Sequence, residues 1–209
     1  YQLHSQSLNR TNATKYLGVT ISADLKWNTH VSNITAKANR TLGLLRRNLQ
    51  VGDNKTKERA YISLVRPQVE YASTVWDPYT SAQKSQVEMV QRRAARYVTR
   101  RYHNTSSVTS MLETLQWDSL ERRREQARLI MFYKVVNNMV ALPQQDFLTT
   151  SNRPSRHGSH ITFLHIPTRA DYFRYSFFPR TVPEWNQLNS SITSAETLTQ
   201  FKTSLFKSY

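Results

Sequence analysis

The chain has 209 residues, enough for one large domain or two small ones, and it carries 29 Lys and Arg against 14 acids, a formal charge of +15. Cys is absent, which excludes a disulfide framework, a thiolate metal site and a Cys nucleophile. Such a positive field points to a polyanionic partner, nucleic acid ahead of an acidic membrane or protein.

At the amino terminus, residues 1–8 and 15–21 alternate polar and apolar side chains around a polar loop at 9–14, the pattern of a β-hairpin rather than of a signal peptide. The chain opens at Tyr1 in mid-pattern and reads as a fragment. Asp24-Leu25-Lys26-Trp27 ends the strand region. Val31, Ile34, Ala38, Leu42, Leu45 and Leu49 then recur at helical spacing, with Arg40, Arg46 and Arg47 off the stripe. Gly52-Asp53-Asn54 breaks this helix, and Asp53 or Asn54 suits the N-cap of the next.

The second helix runs from 55 towards 65 with Ala60, Tyr61, Leu64 and Val65 inward, and Pro67 should kink the path or start a new helix. Residues 70–76 read as helical until Asp77-Pro78. A third long helix covers 81–101, with an apolar seam of Val87, Val90, Ala94 and Val98. A polar linker at 104–107 leads to a short helix at 108–115. Asp118 or Ser119 caps the next, which runs to about 138 with Leu120, Ala127, Ile130, Met131, Val135 and Met139 as candidate core. Arg122, Arg123, Arg124 and Arg128 crowd its first half, against the helix dipole, so some partner should offset them.

Beyond Pro143, residues 149–159 read as a loop and 161–166 as a strand. A short helix starts at Pro183-Glu184-Trp185-Asn186, and 195–206 forms a last amphipathic helix bearing Leu198, Phe201, Leu205 and Phe206. The expected fold class is mainly α: an N-terminal β-hairpin (1–27), a thumb-like helical bundle (28–104), and a helical C-terminal region (105–209) with a short strand or hairpin.

Few residues suggest catalysis. There is no Gly-x-Ser-x-Gly elbow, no P-loop and no Asp-Asp pair; the acids Asp24, Asp53, Asp77, Asp118, Asp146 and Asp171 stand singly. His157, His160 and His165 are better read as a polar loop entering a strand than as a metal site. Trp27, Trp76, Trp117 and Trp185 sit at element boundaries as core anchors rather than base-stacking platforms. Arg92, Arg93, Arg96 and Arg100 share one broad helix face with only Glu88 near, and a guanidinium fork suits phosphate oxygens. The run Arg122 to Arg124 is a weaker phosphate candidate, because Glu121 and Glu125 flank it.

Lys15-Tyr16-Leu17-Gly18-Val19, followed by Asp24-Leu25-Lys26-Trp27, resembles the segment just after the catalytic palm of reverse transcriptases from non-LTR (LINE-like) retrotransposons. Further strings agree in order: Leu64-Val65-Arg66-Pro67, Glu70-Tyr71-Ala72, Val75-Trp76-Asp77-Pro78, Val90-Gln91-Arg92-Arg93-Ala94-Ala95-Arg96, Phe177-Phe178-Pro179-Arg180-Thr181 and Trp185-Asn186-Gln187-Leu188. The resemblance implies a hairpin that grips the primer end, thumb helices that track the template–primer duplex, and the distal region of such a polyprotein. The family's catalytic Asp-Asp turn and its endonuclease lie upstream of the matching segment. A zinc knuckle found near the end of some relatives is excluded by the lack of Cys.

The parent would be an RNA-directed DNA polymerase using Mg, while this piece would hold RNA and DNA without a catalytic residue, metal or cofactor of its own. The expected nucleic-acid-binding set is Lys15, Tyr16, Gly18, Arg46, Arg47, Arg92, Arg93, Arg96 and Arg100. The other expected partner is the upstream palm of the same polyprotein, not a membrane, with an intracellular location, nuclear when acting on chromosomal DNA. Two alternatives stay open: a basic helical module for an acidic protein partner, and an enzyme with a convergent acid site.

Overall fold

A computed structural model of the chain describes residues 2–3, 6–7, 10–151 and 161–208. The fold is mainly α with an N-terminal β-hairpin, as the sequence predicts. Two compact units form: residues 1–72 with 78–116, and residues 73–77 with 117–209. The sequence reading divides the chain at 27 and 104 instead. Residues 73–77 join the second unit because the short helix there packs on a helix some fifty residues later, a pairing that local periodicity does not reveal.

In the first unit, β1 (Gln2–Leu3) pairs with β2 (Gln6–Ser7), and β3 (Ala13–Tyr16) pairs antiparallel with β4 (Val19–Ser22). Residues 1, 4, 5, 8 and 9 lie outside the described residues. The second hairpin thus spans 13–22 and turns back inside the segment 15–21 that sequence periodicity treats as one strand. Its two-residue loop is Leu17-Gly18, with φ of 44° and 84°. Positive φ at both loop positions is what a type I′ turn requires. Leucine is a poor residue for the first of them, which hides the turn from sequence reading.

Helix α1 (Asn28–Asn48) buries Val31, Thr35, Ala38, Leu42 and Leu45, and α5 (Ser81–Thr99) buries Val87, Val90, Ala94 and Val98. The two pack side by side and parallel. Gln83 donates to Asn28 at 2.5 Å, Gln86 to Thr35 at 3.2 Å, Arg93 to Asn39 at 3.1 Å, and Tyr97 to the Leu45 carbonyl at 3.2 Å. Both helices therefore end at the same end of the unit.

A parallel pair needs a return path, and residues 49–80 provide it. Helix α2 (Asn54–Ala60) is capped by Asp53, whose carboxylate accepts from the Thr56 N–H at 2.8 Å. A π turn (Tyr61–Val65) follows, in which the Arg66 N–H reaches back to the Tyr61 carbonyl, and then α3 (Arg66–Glu70). Pro67 explains the wide turn: its ring lacks an N–H and clashes with the carbonyl one α-turn back, so the chain steps by five residues there. The wide turn keeps Tyr61 and Val65 fully buried and turns Leu64 out to 52% exposure, against the expected inward placement. Tyr71 and Ala72 then leave the helix, with Ala72 at φ 51°, so the expected run through 70–76 is interrupted before α4 (Ser73–Trp76). Helix α6 (Val108–Thr114) completes the unit by burying Val108 and Met111.

The second unit is organised around α7 (Leu120–Val136), capped by Ser119. Its buried apolar residues are Leu120, Leu129, Phe132, Tyr133 and Val135; Ala127, Ile130 and Met131 are half-buried and Met139 is exposed. The stripe is less regular than sequence spacing suggests because arginines share the inward face. Arg124 and Arg128 are buried, and their charges meet Asp77. The Arg124 Nε lies 2.7 Å from Asp77 Oδ1, and Arg128 Nη1 donates to Asp77 Oδ2. Arg128 also clamps Glu184 at 2.5 and 2.7 Å, and Arg180 lies 3.3 Å from Asp77 while donating to its carbonyl at 3.1 Å. Arg122 pairs with Asp118 at 3.4 Å. The partner demanded by the helix dipole is thus a set of acids from the chain itself, and Arg124 is a structural residue, not a phosphate contact.

A 3-10 turn (Gln144–Asp146), α8 (Asp171–Arg174), α9 (Phe177–Gln187), α10 (Ser190–Thr193) and α11 (Leu198–Lys207) complete the second unit. Helix α9 begins earlier than the expected start at Pro183. Pro179 sits in its first turn, where the missing N–H has no partner to lose. Phe177 and Phe178 pack on Phe132, with ring centroids 6.4 and 6.5 Å away, and this burial holds the helix through Pro183. Helix α11 carries a Thr197/Gln200 capping box and buries Phe201 and Leu205, while Phe206 faces solvent.

Among the described residues, the expected strand at 161–166 reduces to a single bridge between Thr150 and Phe163. Side chains take the strand partner's place: Asn186 accepts from the Phe163 N–H at 3.0 Å and donates to its carbonyl at 2.8 Å, and the Trp185 indole donates to the Ile161 carbonyl at 3.1 Å. Trp76, Trp117 and Trp185 are buried and Trp27 is half-buried, consistent with core anchors. His157 and His160 lie outside the described residues, and His165 is exposed.

Replacing Asp77 by Ala leaves three arginines facing one another with the main counter-charge gone. Asp77→Ala should lower stability by about 3–5 kcal/mol. Urea unfolding followed by tryptophan emission measures it, because Trp76, Trp117 and Trp185 all belong to the second unit. An unchanged midpoint counts against the network.

Candidate nucleic-acid interface

A cleft of about 580 Å³ opens in the first unit between the β3–β4 hairpin, α1 and α3. From the hairpin come Lys15, Gly18 and Thr20; from α1 come His30, Asn33, Ile34, Ala36, Lys37 and Arg40; Pro67, Gln68 and Tyr71 close the far side. The α1 contributors His30, Asn33, Ile34 and Lys37 follow the three-four spacing of one helix stripe, adjacent to the stripe that fills the core.

Two hydrogen bonds fix the hairpin over the cleft. The Thr20 N–H donates to His30 Nδ1 at 3.1 Å, and the Tyr71 hydroxyl donates to the Leu17 carbonyl at 3.1 Å. Because Nδ1 accepts, the His30 ring proton sits on Nε2. Gly18 suits this position by its φ, and a Cβ on it would lie 3.1 Å from the Tyr71 ring, which would have to shift by a few tenths of an ångström. Leu17, held at positive φ and 74% exposed, sits at the hairpin tip beside Tyr16, itself 65% exposed.

The charge of the cleft is one-sided. Among the described residues, Lys15, Lys37 and Arg40 line it and no acid does. Burial pushes the His30 imidazole below its ordinary value, so it stays neutral near pH 7. Such a wall attracts phosphate oxygens and repels cations.

The remaining expected residues fall into two groups. Arg46 and Arg47 lie in the last turn of α1 and border a groove with Gly43 and Gln50, and Arg46 stacks over the Tyr102 ring at 5.5 Å. Arg100, at φ 56°, turns back to donate to the carbonyls of Gln50 and Gly52 at 3.0 and 2.9 Å. Parallel packing therefore unites Arg46 and Arg100, which sequence spacing keeps apart. Arg92, Arg93 and Arg96 lie on the side of α5 away from its core seam; Arg93 is exposed and the other two half-buried. They form a separate face and line none of these cavities.

Sequence reasoning misses Lys37 as a candidate, and sets Arg40 aside only as an off-stripe residue. The signal that finds them is the α1 stripe 30-33-37-40, which faces the hairpin across the cleft. Lys57 is also missed: it is only 2% exposed, and nothing in the run Lys55-Thr56-Lys57-Glu58-Arg59 marks it from its neighbours. Among the described residues no three or more His, Asp or Glu gather to hold a metal ion, and no helix is long and apolar enough to cross a membrane.

Two outcomes test this geometry. Gly18→Ala should cost about 1–2 kcal/mol from the left-handed backbone alone, and speed hydrogen exchange of the β3–β4 amides by roughly 5- to 30-fold. Rates unchanged from the native chain refute the turn assignment. His30 is neutral when folded and has its ordinary affinity for protons when unfolded, so the unfolded chain gains the extra proton. Stability should fall as pH drops below about 6.5 and level off below the lowered folded value. Urea midpoints between pH 7.5 and 5 should show this slope, and His30→Gln should flatten it. Asp53, held below its ordinary range chiefly by its hydrogen bond to Thr56, acts only at lower pH.

Comparison with protein-family models, curated proteins and solved structures returned no match, so the interface is read from its own geometry and charge.

Proposed function

We propose that this chain holds an RNA–DNA template–primer duplex, as the thumb-like part of an RNA-directed DNA polymerase of the non-LTR retrotransposon kind. The observation that carries the reading is the acid-free cleft of Lys15, Lys37 and Arg40 under the Leu17-Gly18 turn. The second arginine face on α5 and the formal charge of +15 support it. The ordered strings that resemble those polymerases, from Lys15-Tyr16-Leu17-Gly18 to Trp185-Asn186-Gln187-Leu188, support the enzyme class.

In this reading the hairpin tip lies against the primer strand, with Lys15 and Tyr16 as its contacts. Arg92, Arg93 and Arg96 meet backbone phosphates of the duplex. Phosphate contacts fix position without reading sequence, so binding is expected to be insensitive to base order.

Fluorescence anisotropy with an RNA–DNA hybrid at varied salt tests the proposal. With about five phosphates neutralised, log K should fall with log salt at a slope near −4.5, and a fourfold rise in salt should weaken binding by a factor on the order of several hundred. Alanine at Arg92, Arg93 and Arg96 together should weaken binding and flatten the slope. Binding that ignores both salt and these substitutions sinks the reading.

A further inference from the structure

The joined carboxyl-terminal ends of α1 and α5 border a second, open cavity of about 480 Å³, lined by Arg46, Gln50, Lys57, Tyr97, Arg100 and Tyr102. Of the described residues that line it, three are cations and none is an acid. Lys57 is almost wholly buried at 2% exposure, with its ammonium 5.6 Å from the centre of the Tyr97 ring. Buried lysines normally pair with a carboxylate or lose their charge. Here Arg46 stands over Tyr102 and Arg100 is anchored on two carbonyls, so both guanidinium groups are held in place rather than free to move apart.

The bland account is that cations collect at helix carboxyl ends to meet the dipole. Two helix ends supply roughly one unit of negative charge between them, against three cations. Desolvation and then Arg100 lower the affinity of Lys57 for its proton, with only Asp53 opposing them. The Asp53 carboxylate is already occupied in capping α2. The cavity therefore keeps an excess of positive charge that an oxyanion would neutralise, and its two tyrosine rings give an apolar surface for whatever carries that anion.

We propose that this cavity is a phosphate-binding site in which Lys57 is the buried anchor and Arg46 and Arg100 are the flanking donors. The phosphate comes either from a polynucleotide backbone or from a free phosphorylated small molecule. The first source rests on the function proposed above, and the second does not.

Calorimetric titration of the full chain with inorganic phosphate is the primary test. The native chain should bind, and Lys57→Met, which keeps the aliphatic stem and removes the charge, should weaken binding at least tenfold. Arg46→Gln, at an exposed position, should weaken it severalfold and serves if Lys57→Met fails to fold. Equal affinity for phosphate in native and variant chains, or no binding by the native chain, overturns the inference. The hybrid-duplex titration separates the sources: a slope shallower by about 0.9 in Lys57→Met assigns the phosphate to the polynucleotide. An unchanged slope with phosphate affinity lost assigns it to a small molecule. Should duplex binding ignore both salt and the triple arginine substitution of α5 while Lys57→Met loses phosphate, the duplex reading fails and the phosphate site stands.

Discussion

Parallel packing of α1 on α5 sets the geometry on which the first unit depends. Antiparallel helices would place each carboxyl end beside an amino end, and the partial charges would cancel. Parallel helices instead bring two like ends together, and the chain gathers Arg46, Lys57 and Arg100 around them. The same packing leaves the stripe containing His30 and Lys37 uncovered by α5, so the hairpin and α3 can enclose it as a cleft. The cost of the arrangement is a long return path, and Pro67 with its π turn lets that path bend without breaking the helical run between Asn54 and Glu70.

Arginine has two fates in this protein, and burial separates them. On α7 the guanidinium groups of Arg124 and Arg128 are inside, where only a matched acid makes them tolerable, and Asp77 and Glu184 supply it. On α1 and α5 the arginines lie at the edges of cavities or on an open face, with backbone carbonyls, amides or rings as neighbours. The net positive charge of the chain is consequently not spread evenly in effect. Asp77 and Glu184 serve the second unit's core network, whereas among the described residues no acid lines the first unit's cavities.

The helices were largely legible in the sequence. The α1 and α5 seams, the Asp53 and Ser119 caps and the Asp77-Pro78 stop all follow from spacing and local chemistry. The breaks were less so. A Leu-Gly type I′ turn lacks the usual Asn or Asp signal, and the Tyr71-Ala72 break has no Gly or Pro to mark it. At 161–166 the apolar alternation suggests a strand, but Asn186 and Trp185 satisfy that backbone from a helix. Of the residues read from the sequence, Lys15, Gly18, Arg46 and Arg100 line cavities, while the meeting of Arg46 with Arg100 and the places of Lys37 and Lys57 needed the structure to stand out.

By itself, the sequence determined what is local: helix periodicity, caps, the excess of positive charge and the absence of thiol chemistry, since each depends on residues a few positions apart or on composition. Only the tertiary structure decided which cations are spent on structure and which remain available. That choice depends on acids and carbonyls some fifty residues away, Asp77 for Arg124 and Gln50 for Arg100. Desolvation by neighbouring helices, not the identity of the residue, makes Lys57 an anchor and Arg124 a core ion.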